Sequence, residues 1–82
     1  LMLYVYILFS SKLQKYYTGQ TEDIQNRINE HNSGESKFSK NGLPWSIVWS
    51  TTVFTRREAV QLEMKIKKRG AKRFLDDLKS EA

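Results

Sequence analysis

The segment LYVYILFSSKLQKYYTGQ, residues 3–20, decides how the rest of the chain can fold. Its beginning is rich in aromatic and branched apolar residues, and its end carries two adjacent tyrosines shortly before a glycine. Apolar runs of this kind, joined by a short polar link, are typical of a β-hairpin. We therefore predict two antiparallel strands, over residues 3–9 and 15–20.

Tyrosines dominate this hairpin, and the alternation of side chains along a strand sorts them by face. Tyr4 and Tyr6 share one face of the first strand. Tyr17 shares a face with Gly19 on the second strand, whereas Tyr16 points the other way. Strand packing alone accounts for Tyr4 and Tyr16, and glycine fits where a backbone or a substrate must approach closely.

The residues after the hairpin predict a helix over residues 21–32. Thr21 is a suitable N-cap, and two acidic residues follow it where the helix dipole favours negative charge. Ile24 and Ile28, four residues apart, form an apolar stripe. Residues 33–44 then predict a polar loop that contains glycine.

Residues 45–54, WSIVWSTTVF, predict a third strand. Alternation places Trp45, Ile47 and Trp49 on one face of this strand. We interpret the two tryptophans as residues of the core or as a cover over one face of the sheet.

The sequence TRRE marks the start of a second helix, because Thr55 and Glu58 have the spacing of a capping box. The apolar stripe of this helix comprises Ala59, Leu62 and Ile66, broadened by Val60 and Met64. Gly70 is a suitable stop, and residues 71–82 predict a last short helix. The order β-β-α-β-α-α indicates an α+β fold, a small three-stranded antiparallel sheet flanked by helices, in a single domain over residues 1–82.

Composition excludes several classes of site and partner. The chain has 82 residues, no cysteine and one histidine. Disulfides, thiolate catalysis and a conventional structural zinc site are therefore excluded, and a reducing compartment such as the cytoplasm fits. The formal charge of +5 favours polyanionic partners such as nucleic acid. The apolar run over residues 1–9 is far shorter than the ~20 residues that span a bilayer and lacks the features of a signal peptide.

Four features, taken in chain order, carry a family resemblance: Tyr4-Val5-Tyr6 on the first strand, Tyr17-Thr18-Gly19 on the second, Arg27 on the next helix and Glu63 on a later one. Together they resemble the GIY-YIG nuclease family, especially its small single-domain bacterial members, from about Leu3 to Leu78. The resemblance implies a metal-dependent endonuclease that hydrolyses DNA phosphodiester bonds with Mg²⁺ or Mn²⁺ and leaves a 3′ hydroxyl and a 5′ phosphate. DNA is then the expected partner, and no membrane contact is expected.

The resemblance also implies roles for individual residues. Tyr6 matches the last residue of the first family motif, and Tyr17 matches the first residue of the second. Arg27 is similar to the family's helix arginine, and His31 lies one helical turn further on. Glu63 is similar to the single carboxylate that binds the metal.

These residue types suit phosphodiester hydrolysis. A free tyrosine has a pKa of ~10, so Tyr6 is a useful base only where positive charge from Arg27 and a metal favours its phenolate. Tyr17 is expected to position water or phosphate, and Arg27 to grip a phosphate through two hydrogen bonds. His31 is a candidate proton donor to the leaving group or a phosphate contact. Glu63 alone suffices for Mg²⁺ that takes its other ligands from water and phosphate oxygens.

Basic residues in the loop and after Glu63 predict a surface that follows DNA phosphates. The predicted nucleic-acid contacts are Gly19, Lys37, Lys40, Lys65, Lys67, Lys68, Arg69, Lys72 and Arg73. The simpler interpretation of the basic run is a solvated helix surface.

Ordinary structural explanations exist for the other site residues too. Arg27 could pair with Asp23, and Glu63 with Lys67, each across one helical turn. His31 suits the C-terminal end of a helix, where the dipole favours positive charge.

The sequence departs from the family pattern at three points. Tyr4 stands where the family usually has glycine, and Thr18 where isoleucine is usual; both keep the strand. Several family members have an asparagine near the C-terminus, and no asparagine follows Asn41 here. This last departure leaves open a nucleic-acid-binding module that keeps the fold without turnover, and a protein-interaction domain for an acidic partner is a third hypothesis. The structure of the DNA substrate and the oligomeric state are not given by the sequence.

Overall fold

The structure is a computed structural model that describes residues 2–34 and 40–80. Its elements are β1 (Leu3–Ser10), β2 (Lys15–Thr21), α1 (Ile24–Asn32), a short 3₁₀ helix (Lys40–Gly42), β3 (Trp45–Val53), α2 (Arg56–Arg69) and α3 (Ala71–Ser80). The strand order in the sheet is β2-β1-β3, and β1 pairs antiparallel with both neighbours. The predicted α+β fold and the element order β-β-α-β-α-α are confirmed. Within the two described ranges, no helix is long and apolar enough to cross a membrane.

The central strand β1 sends alternate side chains into two separate clusters. One cluster is covered by α2 and α3, and its buried members are Leu3, Val5, Ile7, Val53, Ala59, Ile66 and Phe74. The other is covered by α1 and consists of Tyr6, Leu8 and Trp45, with Tyr17, Ile24, Ile28 and Leu43 packed against it. We call the two sides of the sheet the α2/α3 face and the α1 face.

The helix boundaries agree with the predicted caps in one case and differ in another. Thr55 is the N-cap of α2, where its side chain accepts a hydrogen bond from the Glu58 amide, and Gly70 ends the helix with a positive φ of 92°. The prediction that Thr21 caps α1 is wrong. Thr21 is the last residue of β2, and the Asp23 carboxylate caps α1 by accepting from the Asn26 amide. An aspartate directly before the helix is at least as good a cap as threonine, and it leaves β2 its full length.

A β-bulge in β3 changes the predicted faces of its aromatic residues. The pairing register shifts between Ile7 and Leu8 of β1, which leaves Val48 as the extra residue of β3. Trp45 therefore packs on the α1 face, whereas Trp49 packs on the α2/α3 face. The prediction that the two tryptophans share a face is wrong, because an inserted residue reverses the alternation. Their interpretation as packing residues is confirmed.

The apolar stripe of α2 is narrower than predicted. Ala59 and Ile66 are buried and Leu62 is half-buried, as expected from their spacing. Val60 and Met64 are exposed, so the prediction that they broaden the stripe is wrong. At 3.6 residues per turn, both positions rotate away from the side of the helix that meets the sheet.

Candidate active site

Tyr6 lies at the centre of a polar cluster on the α1 face. Its side chain is only 1% exposed. The Tyr6 hydroxyl accepts a hydrogen bond from Arg27 Nε at 3.3 Å and lies 3.5 Å from His31 Nε2. Arg27 and His31 are four residues apart on α1, so one side of that helix presents both groups to the strand. The structure thus brings three of the predicted site residues together around one oxygen atom.

Gly19 allows Tyr6 to occupy this position. Gly19 lies directly opposite Tyr6 in the β1–β2 register. A Cβ atom at position 19 would stand 2.6 Å from the Tyr6 hydroxyl oxygen, closer than such atoms can approach. The close approach expected at this glycine is therefore made by the phenol of Tyr6. A contact of Gly19 with nucleic acid stays a prediction.

Tyr17 completes the aromatic part of the cluster. Its ring centroid lies 6.3 Å from that of Tyr6 and 4.7 Å from that of His31. The pKa of the Arg27 guanidinium is raised, first by its hydrogen bond to Tyr6 and further by its hydrogen bond to Tyr17. Arg27 consequently keeps its positive charge at any pH at which the protein is studied, and it faces both phenols.

Burial sets the protonation state of Tyr6. The pKa of the Tyr6 phenol is raised above its usual value, mainly because burial disfavours the phenolate. The hydrogen bond and charge of Arg27 act in the opposite direction but do not prevail. Arg27 alone therefore does not create the phenolate considered in the sequence analysis, and Tyr6 is a neutral phenol at neutral pH.

His31 is also neutral. Its side chain is buried, and burial together with the nearby Arg27 charge lowers the pKa of the imidazole, against a weaker opposite effect of Glu30. Nδ1 of His31 is buried and has no hydrogen-bond partner among the described residues. A neutral, buried imidazole fits a proton acceptor beside the Tyr6 hydroxyl. The role of His31 as a proton donor to the leaving group or as a phosphate contact stays a prediction.

Arg27 makes a different ion pair from the one considered. Its Nη1 lies 3.2 Å from the Glu30 carboxylate, one turn towards the C-terminus. The Asp23 carboxylate instead caps the helix. The Arg27 side chain is 42% exposed, so its guanidinium reaches from the buried phenol to solvent.

Glu63 reaches the sheet from α2. Its Oε2 lies 2.6 Å from Lys67 Nζ, and its Oε1 accepts a hydrogen bond from Gln20 Nε2 at 3.3 Å. The side chain is 19% exposed. After burial and the neighbouring Tyr17, the Glu63 charge also contributes to the raised pKa of Tyr6. The carboxylate therefore lies within electrostatic range of the cluster, although it extends from a helix on the other side of the sheet.

Gln20 and Arg56 are site neighbours that the sequence analysis missed. The Gln20 amide donates to Glu63, and its oxygen accepts from Arg56 Nη1 at 2.5 Å. Because arginine can only donate, Arg56 fixes which end of the amide points at Glu63. Alternation gave a usable signal: Gln20 follows Gly19 and must face the opposite side of β2, towards α2.

Comparison with known proteins identifies the family of this chain. The family model of the GIY-YIG catalytic domain matches residues 2–75. The chain belongs to the GIY-YIG family.

Relatives of this GIY-YIG chain occur in bacteria and archaea. A UPF0213 protein of Haloquadratum walsbyi is 38% identical over 65 residues, which cover 78% of this chain and 72% of the relative. A UPF0213 protein of Streptococcus agalactiae is 33% identical over 67 residues, covering 80% and 75% of the two chains. The solution NMR structure of a UPF0213 protein from Bacillus halodurans superposes with a TM-score of 0.57 at 32% identity, over 98% of this chain and 84% of that one.

In the structure, the residues of the predicted basic surface of this GIY-YIG domain fall into two groups. Three of its members pair with carboxylates of the chain: Lys67 with Glu63, Arg69 with Asp77, and Lys72 with Asp76. The Arg69 pair has two hydrogen bonds, of 2.8 and 2.9 Å, and joins α2 to α3. Exposed members are Lys40, Lys65, Lys68 and Arg73. Lys37 lies outside the described residues.

The donor set of this GIY-YIG domain suits a metal that is shared with its substrate. Among the described residues, no three histidine, aspartate or glutamate side chains cluster closely enough to enclose an ion. Mg²⁺ commonly uses one or two carboxylates and completes its shell with water and phosphate oxygens. Glu63 would fit such a site if a bound substrate supplied phosphate oxygens as further ligands.

Proposed function

We propose that this GIY-YIG protein is a metal-dependent DNA endonuclease that hydrolyses phosphodiester bonds. The observation that carries the proposal is the Tyr6 hydroxyl held between Arg27 Nε and His31 Nε2 above Gly19. This arrangement joins residues from both family motifs and from α1 around one oxygen that can exchange a proton. The cluster also buries His31 Nδ1 with no hydrogen-bond partner among the described residues, a cost that a purely structural cluster has no need to bear.

The geometry supports a proton relay rather than a free phenolate. Tyr6 takes a proton from the attacking water while it passes its own proton to the neutral His31 Nε2. The resulting hydroxide attacks phosphorus, the bond to the 3′ oxygen breaks, and that oxygen takes a proton from solvent water to become a hydroxyl. His31 afterwards releases its added proton to solvent and returns to the neutral form. The raised pKa of Tyr6 and the lowered pKa of His31 both suit this sequence, because neither group starts charged.

Arg27 and Tyr17 hold the phosphate in this scheme. The exposed part of the Arg27 guanidinium binds a phosphate oxygen, while its Nε keeps the Tyr6 hydroxyl in place. Fixed positive charge next to the reacting phosphate stabilises the charge that develops during transfer. Tyr17, which lies beside both Tyr6 and His31, positions the water or a phosphate oxygen.

Glu63 would hold the metal, with Gln20 orienting its carboxylate. When bound, Mg²⁺ or Mn²⁺ supplies Lewis-acid stabilisation of the phosphate charge. Lys67 now occupies one oxygen of Glu63, and release of that pair frees its ammonium group to contact the DNA backbone.

Cleavage of end-labelled nicked, flapped, branched and blunt DNA, with and without Mg²⁺ or Mn²⁺, tests the proposal. We expect cleavage only with metal, and a loss of about 100-fold or more in Glu63→Gln and in Arg27→Met. Glu58→Gln and Arg57→Met are matched controls at exposed positions, and both should stay within about twofold of the unmodified chain, since glutamine keeps the capping box of α2. Cleavage that is indifferent to both site substitutions would refute the assigned site.

A nucleic-acid-binding module without turnover is the second candidate. It is favoured by the engagement of both Glu63 oxygens, one by Lys67 and one by Gln20, within the chain itself. Salt-dependent DNA binding that persists in EDTA, combined with no cleavage of any of the substrates in Mn²⁺, would establish this function instead.

A further inference from the structure

Two depressions meet at Tyr16, on the outer edge of β2. The smaller, of about 310 Å³, is lined by Tyr16, Tyr17, Thr18, Lys67 and Ala71. The larger, of about 640 Å³, lies between the sheet and α3, and its lining includes Phe9, Tyr16, Trp49, Leu75, Lys72 and Lys79. Because Tyr16 borders both and Tyr17 borders the smaller one, the surface is continuous with the candidate active site.

Tyr16 is suited to contact a ligand. Its side chain is 37% exposed, and its ring lies 4.8 Å from that of Phe9, at an angle of 48°. Phe9 supports one side of the ring and limits its motion, while the exposed part is free to stack. A supported ring costs little conformational entropy when a flat ligand binds to it.

The charge of this surface favours an anionic ligand. Its lining contains three lysines, Lys67, Lys72 and Lys79, against the single carboxylate of Asp76. Asp76 is itself partly neutralised by Lys72 at 3.6 Å. Aromatic and aliphatic walls bordered by lysines match a ligand with flat apolar rings on an anionic backbone.

We infer that these two depressions form a binding subsite for an unpaired DNA strand next to the scissile phosphate, with a base stacked on Tyr16. A base inside a duplex has both faces covered by its neighbours, so only unpaired bases can enter an apolar groove of this kind. Lys67, Lys72 and Lys79 contact the backbone phosphates of the same strand. The inference rests on the proposed function and adds the substrate class: DNA with a single-stranded segment beside the cleavage point.

Binding measured in EDTA tests the subsite without any cleavage. The probes are a fluorescent oligothymidine of about 12 nucleotides and a blunt duplex of similar length, followed by anisotropy. Tyr16→Ala should weaken oligothymidine binding about 10-fold, which is the loss expected for one stacked base, and should change duplex binding less than about twofold. Tyr16→Phe, which keeps the ring, should bind oligothymidine like the unmodified chain.

Phe54→Ala is the matched control, since Phe54 is 76% exposed and follows β3, away from both depressions. It should leave both affinities unchanged. An independent measurement uses Lys72→Ala combined with Lys79→Ala: the slope of log affinity against log salt for oligothymidine should fall by about 1.4, as expected for two lost phosphate contacts.

The outcomes separate the subsite from the nuclease. Equal weakening of oligothymidine and duplex by Tyr16→Ala, or no weakening of either, overturns the subsite. So does sedimentation showing that Tyr16→Ala breaks up a dimer while oligothymidine binding is unchanged, because the groove would then belong to a second copy of the chain. Tyr16-dependent binding without cleavage of any DNA would overturn the nuclease and support the subsite.

Discussion

On the α2/α3 face of the sheet, β1 contributes Leu3, Val5 and Ile7 to a cluster whose buried members are all apolar. On the α1 face, the same strand contributes Tyr6, whose hydroxyl meets an arginine and a histidine. Both faces exclude water from the strand, but the arginine and the histidine that meet its buried tyrosine hydroxyl lie on the α1 face. Under the proposed function the difference indicates a division of labour: the apolar cluster stabilises the fold, and the polar cluster, which Glu63 approaches from α2, carries the chemistry.

The largest expected effect is a loss of stability caused by a substitution in the apolar cluster of the α2/α3 face. Ile66 is fully buried there, so Ile66→Ala should lower the free energy of unfolding by about 2–5 kcal/mol, through lost burial and the cavity left behind. Urea denaturation measures this change. Cleavage per folded molecule should stay within about twofold, since Ile66 does not belong to the polar cluster.

Two further variants keep this test informative. Ile66→Val should cost only about 0.5–1.5 kcal/mol and serves where the alanine variant does not fold. Ile47→Ala is the matched control at an exposed position and should cost less than about 1 kcal/mol. If Ile66→Val lowered the cleavage rate as much as a site variant, the division of labour would be wrong.

On the α1 face we expect the reverse, a small change in stability and a large loss of cleavage. Tyr6→Phe removes only the hydroxyl, so the ring keeps its packing and the stability should change by no more than about 1.5 kcal/mol. Single-turnover cleavage at saturating metal should fall about 100-fold or more, because the proton relay is broken. Tyr4→Phe, at the neighbouring tyrosine outside the cluster, is the control. Cleavage that survives in Tyr6→Phe would leave the α1 face without its chemical role.

A substitution at Gln20 tests how the two faces are linked, because Gln20 hydrogen-bonds to Glu63 on α2. Gln20→Met keeps the length of the side chain but removes the donor to Glu63 Oε1. The half-saturating Mn²⁺ concentration should rise about 10-fold, both for cleavage and for Mn²⁺ binding followed by electron paramagnetic resonance with uncleavable DNA.

A double-mutant cycle gives the control for Gln20. The structure links Arg56 to Glu63 through the Gln20 amide, so adding Arg56→Met to Gln20→Met should weaken Mn²⁺ binding no further. Additive effects of the two substitutions would show that Arg56 acts by another route.

The smallest effect concerns pH. His31 is the single histidine, and burial lowers the pKa of its imidazole below 6.5 in the folded state. Above that pH both the folded and the unfolded chain hold it neutral. As the pH falls below it, the unfolded chain binds the proton first, so the free energy of unfolding should decline.

Urea midpoints at about pH 7.5 and about pH 5.5 measure this decline, in a window above the usual range of carboxylates. The midpoint should be lower at the acidic pH. His31→Phe should largely remove the difference, and an unchanged difference in that variant would assign the pH dependence to other groups.

The sequence was informative wherever a signal is local. Alternation in the hairpin, the capping box at Thr55 and the glycine at position 70 are each contained within a few residues, and the structure confirms the elements they predict. The family motifs led to Tyr6, Tyr17, Arg27 and His31, which the structure brings together.

What the sequence could not supply depends on contacts between distant residues. Gln20 meets Glu63 across 43 positions and Arg56 across 36; alternation indicates which face of β2 carries Gln20, but no local pattern identifies these two partners. The protonation state of Tyr6 required its burial, because the charge of Arg27 alone would have suggested a lowered pKa. The misplaced α1 cap shows a related limit, since Thr21 and Asp23 are both acceptable caps and stand only two residues apart.

The extra residue at Val48 has a consequence for comparing this chain with its relatives. A sequence alignment with a relative that lacks the bulge assigns the positions from Trp45 to Ile47 to the wrong side of β3 unless it places a gap at Val48. Deleting Val48 in the laboratory would remove the bulge and make Ile47 and Trp49 consecutive, opposite their present partners in β1, so the indole of Trp45 should keep its contacts with His31 and Tyr17. One residue that has no partner in the β1–β3 pairing therefore places the two ends of a nine-residue strand on different faces of the sheet.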